Sequence, residues 1–222
     1  MSGHAQLWIV GYGPGLGAAL AQRFAQADWK VLTLSRRVPA AALPDAHAVL
    51  DVTARDAARR LAALLAEHGA PRALVYEVGV FRRAPFAATA EDDFRACWEG
   101  MVLGAFRVAQ AVAPAMVQAG GGTLIFSGAT ASLRGGAEFA AFASAKFALR
   151  GLTQSLARAW QPQGVHVVHA ILDGVIAGSA RSAAHTARLD SAAIAESYWQ
   201  LAQQQPGAWT HELDLRGADE PF

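Results

Sequence analysis

The sequence has few cysteines, no long apolar run and almost no net charge, and each of these features excludes a class of protein. Cys97 is the single cysteine, so no disulfide can form within the chain, which favours a reduced, cytoplasmic location. No apolar run approaches the roughly 18 residues of a membrane span. The apolar start of the chain passes at once into glycines, so we expect neither a signal peptide nor a membrane location. A formal net charge of +1 gives no electrostatic case for binding nucleic acid.

Apolar residues are plentiful, at 53% of the chain against 17% charged residues, which is enough to bury one sizeable core. Short apolar runs alternate with longer stretches of helical period, and this pattern is typical of βαβ units with a parallel sheet. We predict one α/β domain over residues 1–222, a doubly wound Rossmann fold whose single parallel sheet has about seven strands with helices on both faces. The predicted strands are 7–10, 31–35, 48–51, 73–77, 123–127, 165–172 and 209–215, and the predicted helices are 16–27, 56–68, 91–118, 138–160 and 191–203.

The first predicted strand runs into a turn, residues 11–17, in which glycine fills four of the positions, and a helical stretch follows directly. Glycines let the backbone approach a pyrophosphate without an intervening Cβ, and the start of a helix offers unpaired amide groups. Taken alone, such a turn is an ordinary tight turn. Between a strand and a helix, it predicts dinucleotide binding.

This turn resembles that of the short-chain dehydrogenase/reductase family, whose pattern is TGxxxGxG. Gly11, Gly15 and Gly17 match the pattern, whereas Val10 stands in place of the threonine. The resemblance covers nearly the whole chain and implies a nicotinamide dinucleotide as cofactor. The further cofactor contacts that it implies are Leu16 in the turn, Asp51 and Val52 at the adenine, Gly79 after the fourth strand, and Gly174 and Ile176 after the sixth, where Asp173 replaces the usual proline.

The end of the second predicted strand bears on the choice between NAD and NADP. An acidic residue at this place accepts from the ribose 2′-hydroxyl of NAD, whereas the 2′-phosphate of NADP needs a cation. The strand ends in Arg36 and Arg37 without a carboxylate, and a guanidinium can pair with a phosphate through two hydrogen bonds. NADP is therefore favoured, with Arg36 as the phosphate ligand, although the two arginines would also suit a solvated strand end.

The resembled family uses a Tyr and a Lys spaced as YxxxK, a Ser thirteen residues before the Tyr, and an Asn on the preceding helix. Residues four apart share one helical face, so the Lys can lower the Tyr pKa while it holds the nicotinamide ribose. Lys146 matches the Lys, but Phe142, Ala129 and Met101 stand at the Tyr, Ser and Asn positions. Lys146 is one of only two lysines in the chain, which favours a retained ribose ligand over a solvated helix residue.

Three missing polar groups make an ordinary alcohol dehydrogenase mechanism hard to sustain, since a general acid contributes roughly 10²- to 10⁴-fold. The residues that we consider as replacements are Ser127, Thr130, Ser132, Ser144 and Tyr198. Residues 178–206 are expected to form a short lid over the substrate. His166 and His169 are three apart on a strand and so face opposite ways, and no other cluster has the spacing of metal ligands, so no metal is expected.

The sequence therefore favours an atypical oxidoreductase that binds NADP(H) and moves a hydride to or from a small organic substrate. The alternative is a dinucleotide-binding protein without catalysis, acting as a sensor or as a partner subunit. The small residues of helix 138–160 permit close packing of helices, and the same helix forms the subunit interface in the resembled family. We therefore expect a homodimer or homotetramer, although the helix would equally suit packing within its own subunit.

Overall fold

The computed structural model describes residues 4–39, 46–178 and 188–218. The strands are β1 (Gln6–Val10), β2 (Lys30–Ser35), β3 (Ala46–Val49), β4 (Ala73–Tyr76), β5 (Gly122–Ser127), β6 (Val165–Asp173), β7 (Val175–Ile176), β8 (Arg188–Leu189) and β9 (Glu212–Arg216). The α-helices are α1 (Leu16–Ala25), α2 (Ala57–His68), α3 (Glu91–Trp98), α4 (Gly104–Gln118), α5 (Ala140–Trp160) and α6 (Ser191–Gln203). The predicted helix 91–118 is interrupted, because a π-helical segment, Glu99–Leu103, joins α3 to α4.

Seven strands form one parallel sheet in the order β3-β2-β1-β4-β5-β6-β9, and β7 pairs with β8 in a small second sheet. This arrangement confirms the predicted doubly wound Rossmann fold. The chain leaves β1 towards β2 and β3 on one side and returns to β4 on the other. In such sheets, ligands bind in the crevice at the carboxyl ends of the strands where the order reverses. Here the reversal lies between β1 and β4, directly after Val10 and Tyr76.

Alternation along the strands divides the core into two layers, because successive side chains of a strand point to opposite faces. Trp8 and Val10 of β1 pack into the layer covered by α2, α4 and α5. Leu7 and Ile9 pack into the layer covered by α1 and α6. All four residues of β4 and all nine of β6 are buried, as expected for strands that are covered on both faces.

The π-helical segment lies against Tyr76 at the end of β4. The Tyr76 hydroxyl donates a hydrogen bond to the carbonyl of Gly100, so the ring fills the space below the segment. At Gly104, a Cβ would lie 2.6 Å from Cγ2 of Val52, and it would also meet the Tyr76 hydroxyl. Glycine is therefore required where α4 begins.

The helical stretch Glu91–Gln118 is long and apolar enough to cross a membrane by length and composition alone, and it is the one such stretch in the described parts of the chain. Half of its most apolar window is buried inside the protein. Val108, Val112 and Met116 of this stretch pack in the core against the sheet. Burial within the protein accounts for the apolar character of the buried half.

Much of the predicted lid lies in the core. Helix α6 packs against α1, with Ile194 and Tyr198 buried in the same layer as Leu20 and Phe24. Residues 179–187 lie outside the described residues. That any part of 178–206 covers a substrate stays a prediction.

Candidate functional site

The glycine turn lies at the carboxyl end of β1, beside the end of β4. Gly11 has a φ of +92°, and a Cβ there would lie 2.7 Å from the amide nitrogen of Val78, so only glycine fits between the two strand ends. Gly15 precedes α1 and has no side chain to cap it. Within the described residues, the amides of Gly15, Leu16 and Gly17 have no hydrogen-bond acceptor. These free amides fit a phosphate group at the start of a helix.

The predicted adenosine side of the site is at the ends of β2 and β3. Arg36 is exposed, and its charge acts on Asp51. Partial burial favours a higher pKa for Asp51, but hydrogen bonds from the amide and hydroxyl of Thr53, together with the positive charge of Arg36, lower this pKa overall. Val52 is buried behind Asp51, and its carbonyl accepts a hydrogen bond from Arg107. The fold thus brings Arg36, Asp51 and Val52 together.

Lys146 lies at the carboxyl end of β5, where only 5% of the residue is exposed. Its ammonium donates a hydrogen bond of 2.7 Å to the carbonyl of Ser127 and lies 5.8 Å from the centre of the Phe142 ring. Burial lowers the pKa of Lys146 to about 8, against the attraction of Glu77, which raises it. A nearly buried ammonium is unusual and costs free energy, so Lys146 is not a solvated helix residue.

A carboxylate that the sequence analysis passed over, Glu77, joins Lys146. Ser127 donates its hydroxyl to Oε2 of Glu77, and the same hydroxyl lies 2.9 Å from the hydroxyl of Tyr198. Burial raises the pKa of Glu77 to about 7, against the hydrogen bond from Ser127 and the charge of Lys146, which both lower it. The sequence feature that could have revealed Glu77 is a carboxylate directly after an entirely apolar strand.

Two of the five predicted replacements thus belong to this group, since Ser127 accepts from Lys146 through its carbonyl and Tyr198 contacts the Ser127 hydroxyl. The hydroxyl of Ser132 accepts from the amide of Ala129 at 3.2 Å, within a 3₁₀ turn. The hydroxyl of Thr130 donates to the carboxylate of Asp173, which also pairs with Arg216 at 3.3 Å. These contacts give Ser132, Thr130 and Asp173 structural roles.

Ser144 and Met101 also serve the packing of the helices. Ser144 donates to the carbonyl of Ala141 at 3.1 Å and accepts from Trp98. Met101 is fully buried in a small cluster with Cys97 and Ala141. The π-helical segment that carries Met101 therefore packs this side chain against α5.

Phe142, whose ring lies near the Lys146 ammonium, and Ala129 are both partly exposed. The Phe142 ring lies 5.2 Å from that of Phe81, which in turn lies 5.9 Å from that of Phe139, so three aromatic rings stand side by side. No hydroxyl replaces the missing Tyr within this group.

The remaining predicted cofactor contacts flank the same crevice. Gly79 follows β4 and has open space around it, and Gly174 follows β6 with a φ of +141°. Ile176 lies in β7, where it pairs with Leu189. Two residues on, a Cβ at Gly178 would lie 3.4 Å from the Cα of Gly15, so the segment after β6 reaches the glycine turn. Across residues 4–39, 46–178 and 188–218, no group of three or more metal-ligating side chains occurs.

Comparison with known proteins identifies the family. The profile of the short chain dehydrogenase family matches residues 6–188, which is most of the sequence. The chain therefore belongs to the short-chain dehydrogenase family of oxidoreductases.

Among curated relatives, galactitol 2-dehydrogenase of Agrobacterium fabrum is 30% identical over 223 residues, covering 94% of this chain and 86% of the relative. The 3-oxoacyl-(acyl-carrier-protein) reductase MabA of Mycobacterium avium is 32% identical over 160 residues, or 71% of this chain. That match spans only 62% of the length of MabA.

Solved structures agree with the fold. A short-chain dehydrogenase from Rhodopseudomonas palustris is 33% identical with a TM-score of 0.81, covering 98% of this chain and 99% of the other. A gluconate 5-dehydrogenase from Burkholderia cenocepacia, solved in complex with NADP and tartrate, is 25% identical with a TM-score of 0.85, covering 96% and 93%.

Proposed function

We propose that the protein is an NADP(H)-dependent oxidoreductase that transfers a hydride to or from a small organic substrate. The observation that carries this proposal is the buried ammonium of Lys146 at the carboxyl end of β5, on the same sheet edge as the free amides of the glycine turn. A cation and an anion-binding turn on one edge suit two neighbouring parts of a dinucleotide, the nicotinamide ribose and the pyrophosphate.

The roles of the residues follow from this placement. The turn amides of Gly15, Leu16 and Gly17 would hold the pyrophosphate, Arg36 would pair with the 2′-phosphate, and Lys146 would donate to the nicotinamide ribose. Asp51 and Val52 would contact the adenine, while Gly79, Gly174 and Ile176 would line the remaining length of the crevice. When bound, the nicotinamide supplies or accepts the hydride. Phe142 and Ala129 would form walls of the substrate pocket.

Arg36→Ser is expected to raise the Kd for NADPH by roughly 10- to 100-fold and to change the Kd for NADH little, because a hydrogen bond to a charged group contributes about 1.5–3 kcal/mol. Nucleotide fluorescence titration measures both constants. Arg37→Ser is the matched control, since Arg37 is also exposed at the strand end. Equal losses in both variants would contradict the role of Arg36, and failure of the unsubstituted protein to bind either nucleotide would refute the whole proposal.

The second candidate function is dinucleotide binding without catalysis. The observation that favours it is the apolar character of Phe142, Ala129 and Met101 at the family's Tyr, Ser and Asn positions. We expect the double variant Phe142→Tyr, Ala129→Ser to gain carbonyl reduction by NADPH, because it restores both hydroxyls beside Lys146. Initial rates with a panel of carbonyl, imine and enone substrates would compare the variant with its parent. Steady turnover by the parent protein would exclude the second candidate.

We further propose that the protein is cytoplasmic and assembles as a homodimer or homotetramer. Large apolar side chains are exposed on neighbouring helices, and contact between subunits would cover them. These side chains are Phe94 and Trp98 on α3, Leu103 in the π-helical segment, Phe106 on α4 and Phe147 on α5.

A further inference from the structure

We propose that Glu77 is the group that gives and takes the substrate proton at this site, and that Ser127 and Tyr198 hold its carboxyl in position. The inference rests on the proposed function, since it assigns the proton of the same hydride transfer. It would supply the acid that Phe142 cannot provide.

The position of Glu77 in the fold supports this role. Glu77 directly follows β4, and Gly11 directly follows β1, so Glu77 stands where the strand order reverses. The contact between them is close, because a Cβ on Gly11 would lie 2.8 Å from the carbonyl carbon of Glu77. Ligands of doubly wound sheets bind at this point. Glu77 is therefore the carboxylate that a ligand on the glycine turn would approach.

The two carboxyl oxygens of Glu77 have different surroundings. Oε2 accepts the Ser127 hydroxyl. Oε1 has no hydrogen-bond partner among the described residues, and it is not a buried atom sealed from solvent. A carboxylic acid held by one oxygen can carry its proton on the other, so Oε1 is free to exchange a proton with a bound molecule.

The other two residues of this hydrogen-bonded group, Ser127 and Tyr198, lie deeper in the protein than Glu77. Ser127 is 6% exposed and Tyr198 is fully buried, whereas Glu77 is partly exposed. Burial first, and then the negative charge of Glu77, raise the pKa of Tyr198 well above its ordinary value, so this phenol keeps its proton at neutral pH. Tyr198 and Ser127 are thus suited to orient Glu77 and not to release a proton themselves.

The titratable groups that act on Glu77 come from two elements. Lys146 on α5 attracts the carboxylate, and the Tyr198 phenol on α6 responds to its charge. His169 on β6 lies close enough to Lys146 to be affected by its charge. Burial lowers the pKa of His169 to about 4, so its ring is neutral near pH 7. Burial thus raises the carboxyl pKa of Glu77 and lowers the ammonium pKa of Lys146, while the attraction between the two groups opposes both shifts.

The proton balance of carbonyl reduction is simple. The carbonyl carbon gains the hydride with its electron pair, the π electrons of the C=O bond move to oxygen, and that oxygen takes the proton from Oε1 of Glu77. The product is an alcohol, and the remaining carboxylate regains a proton from solvent. In the oxidation direction, the carboxylate accepts the alcohol proton as the hydride leaves.

The first test follows the carboxyl group without any nucleotide or substrate. Protein labelled with ¹³C at the glutamate carboxyls is titrated from about pH 4 to about pH 9, and the Glu77 signal is identified by its loss in Glu77→Gln. We expect a midpoint near 7 for Glu77 and a higher midpoint in Ser127→Ala, which removes a hydrogen bond to the charged form. Glu67→Gln, at an exposed position on α2, should leave the Glu77 signal unchanged. A midpoint near the ordinary glutamate value would overturn the inference.

The second test uses turnover of the best substrate found with NADPH. Glu77→Gln is expected to lower kcat/KM for reduction by roughly 10²- to 10⁴-fold. The unsubstituted protein should lose activity as pH rises above about 7, because the acid must be protonated, and the variant should lack this fall. Tyr198→Phe should retain this decrease in activity at high pH, and its kcat/KM should be lowered less than that of Glu77→Gln. A larger loss of kcat/KM in Tyr198→Phe than in Glu77→Gln would overturn the inference.

The outcomes separate this inference from the proposed function. Turnover that survives in Glu77→Gln with an unchanged pH profile refutes the role of Glu77 and leaves the oxidoreductase proposal intact. Absence of turnover in the unsubstituted protein, despite NADPH binding, refutes both. A folded Glu77→Gln variant is recognised by NADPH binding, and Ser127→Ala gives an independent variant should Glu77→Gln fail to fold.

Discussion

Lys146→Met is expected to lower the affinity for NADPH by roughly 10- to 100-fold, since hydrogen bonds to charged groups contribute about 1.5–3 kcal/mol each. The methionine fills a similar volume but cannot donate to ribose hydroxyls. We expect turnover to fall by a larger factor than affinity, because the variant also removes the positive charge that stabilises the Glu77 carboxylate. The pKa of Glu77 should rise further as a result.

The measurement for Lys146→Met is a nucleotide titration together with thermal unfolding. Lys30→Met is the matched control, because Lys30 is the other lysine of the chain and is exposed at the start of β2. Stability should change by no more than about 1–2 kcal/mol, since losing the bond to the Ser127 carbonyl is offset by no longer burying an ammonium. An unchanged Kd for NADPH in Lys146→Met would show that Lys146 holds no part of the nucleotide.

Gly11→Ala is expected to destabilise the protein by roughly 2–4 kcal/mol, the sum of strain at a positive φ and of overpacking. The added Cβ would lie within 3 Å of the backbone of Glu77 and Val78, which belongs to the sheet edge and cannot move away cheaply. Any displacement would shift Glu77 as well as the turn. Nucleotide binding should therefore be lost along with stability.

Gly13→Ala is the control for this variant. A Cβ at Gly13 has no atom within 4 Å, and Gly13 is not among the glycines with positive φ. It should unfold at the same urea concentration as the parent. If Gly11→Ala matched Gly13→Ala in urea unfolding, the close approach of β1 and β4 would not be the constraint that we infer.

The fold was predictable because it depends on local patterns. Alternating side chains on β1 and the fully apolar strands β4 and β6 mark a sheet that is covered on both faces, and each lies within one short stretch of sequence. The strand ends were less accurate. The third strand ends at Val49 and not at Asp51, because the chain turns there and the Asp51 carboxylate accepts a hydrogen bond from the amide of Thr53.

The candidate site was predictable only where a motif is local. The glycine turn and Lys146 lie within recognisable patterns, so the sequence alone pointed to them. The group around Ser127 draws on β4, β5 and α6, and the contact from Ser127 to Tyr198 spans 71 positions in the sequence. No spacing rule reveals such a contact, because it depends on how α6 packs against the sheet. The surroundings of Met101 were equally unpredictable, because the geometry of the π-helical segment decides where the Met101 side chain points.

The position of β9 at one edge of the sheet has a consequence for biosynthesis. Arg216 of β9 pairs with Asp173. Glu212 of the same strand pairs with Arg150 and lies 3.3 Å from His169. Strand β9 therefore supplies charged partners to residues near the site. A ribosome translates β9 after every other strand of the sheet, and contacts between distant residues form slowly. Until β9 emerges, Asp173 and Arg150 lack these partners and one edge of β6 stays open. A nascent chain paused before β9 would therefore expose this edge, where other chains could pair with it.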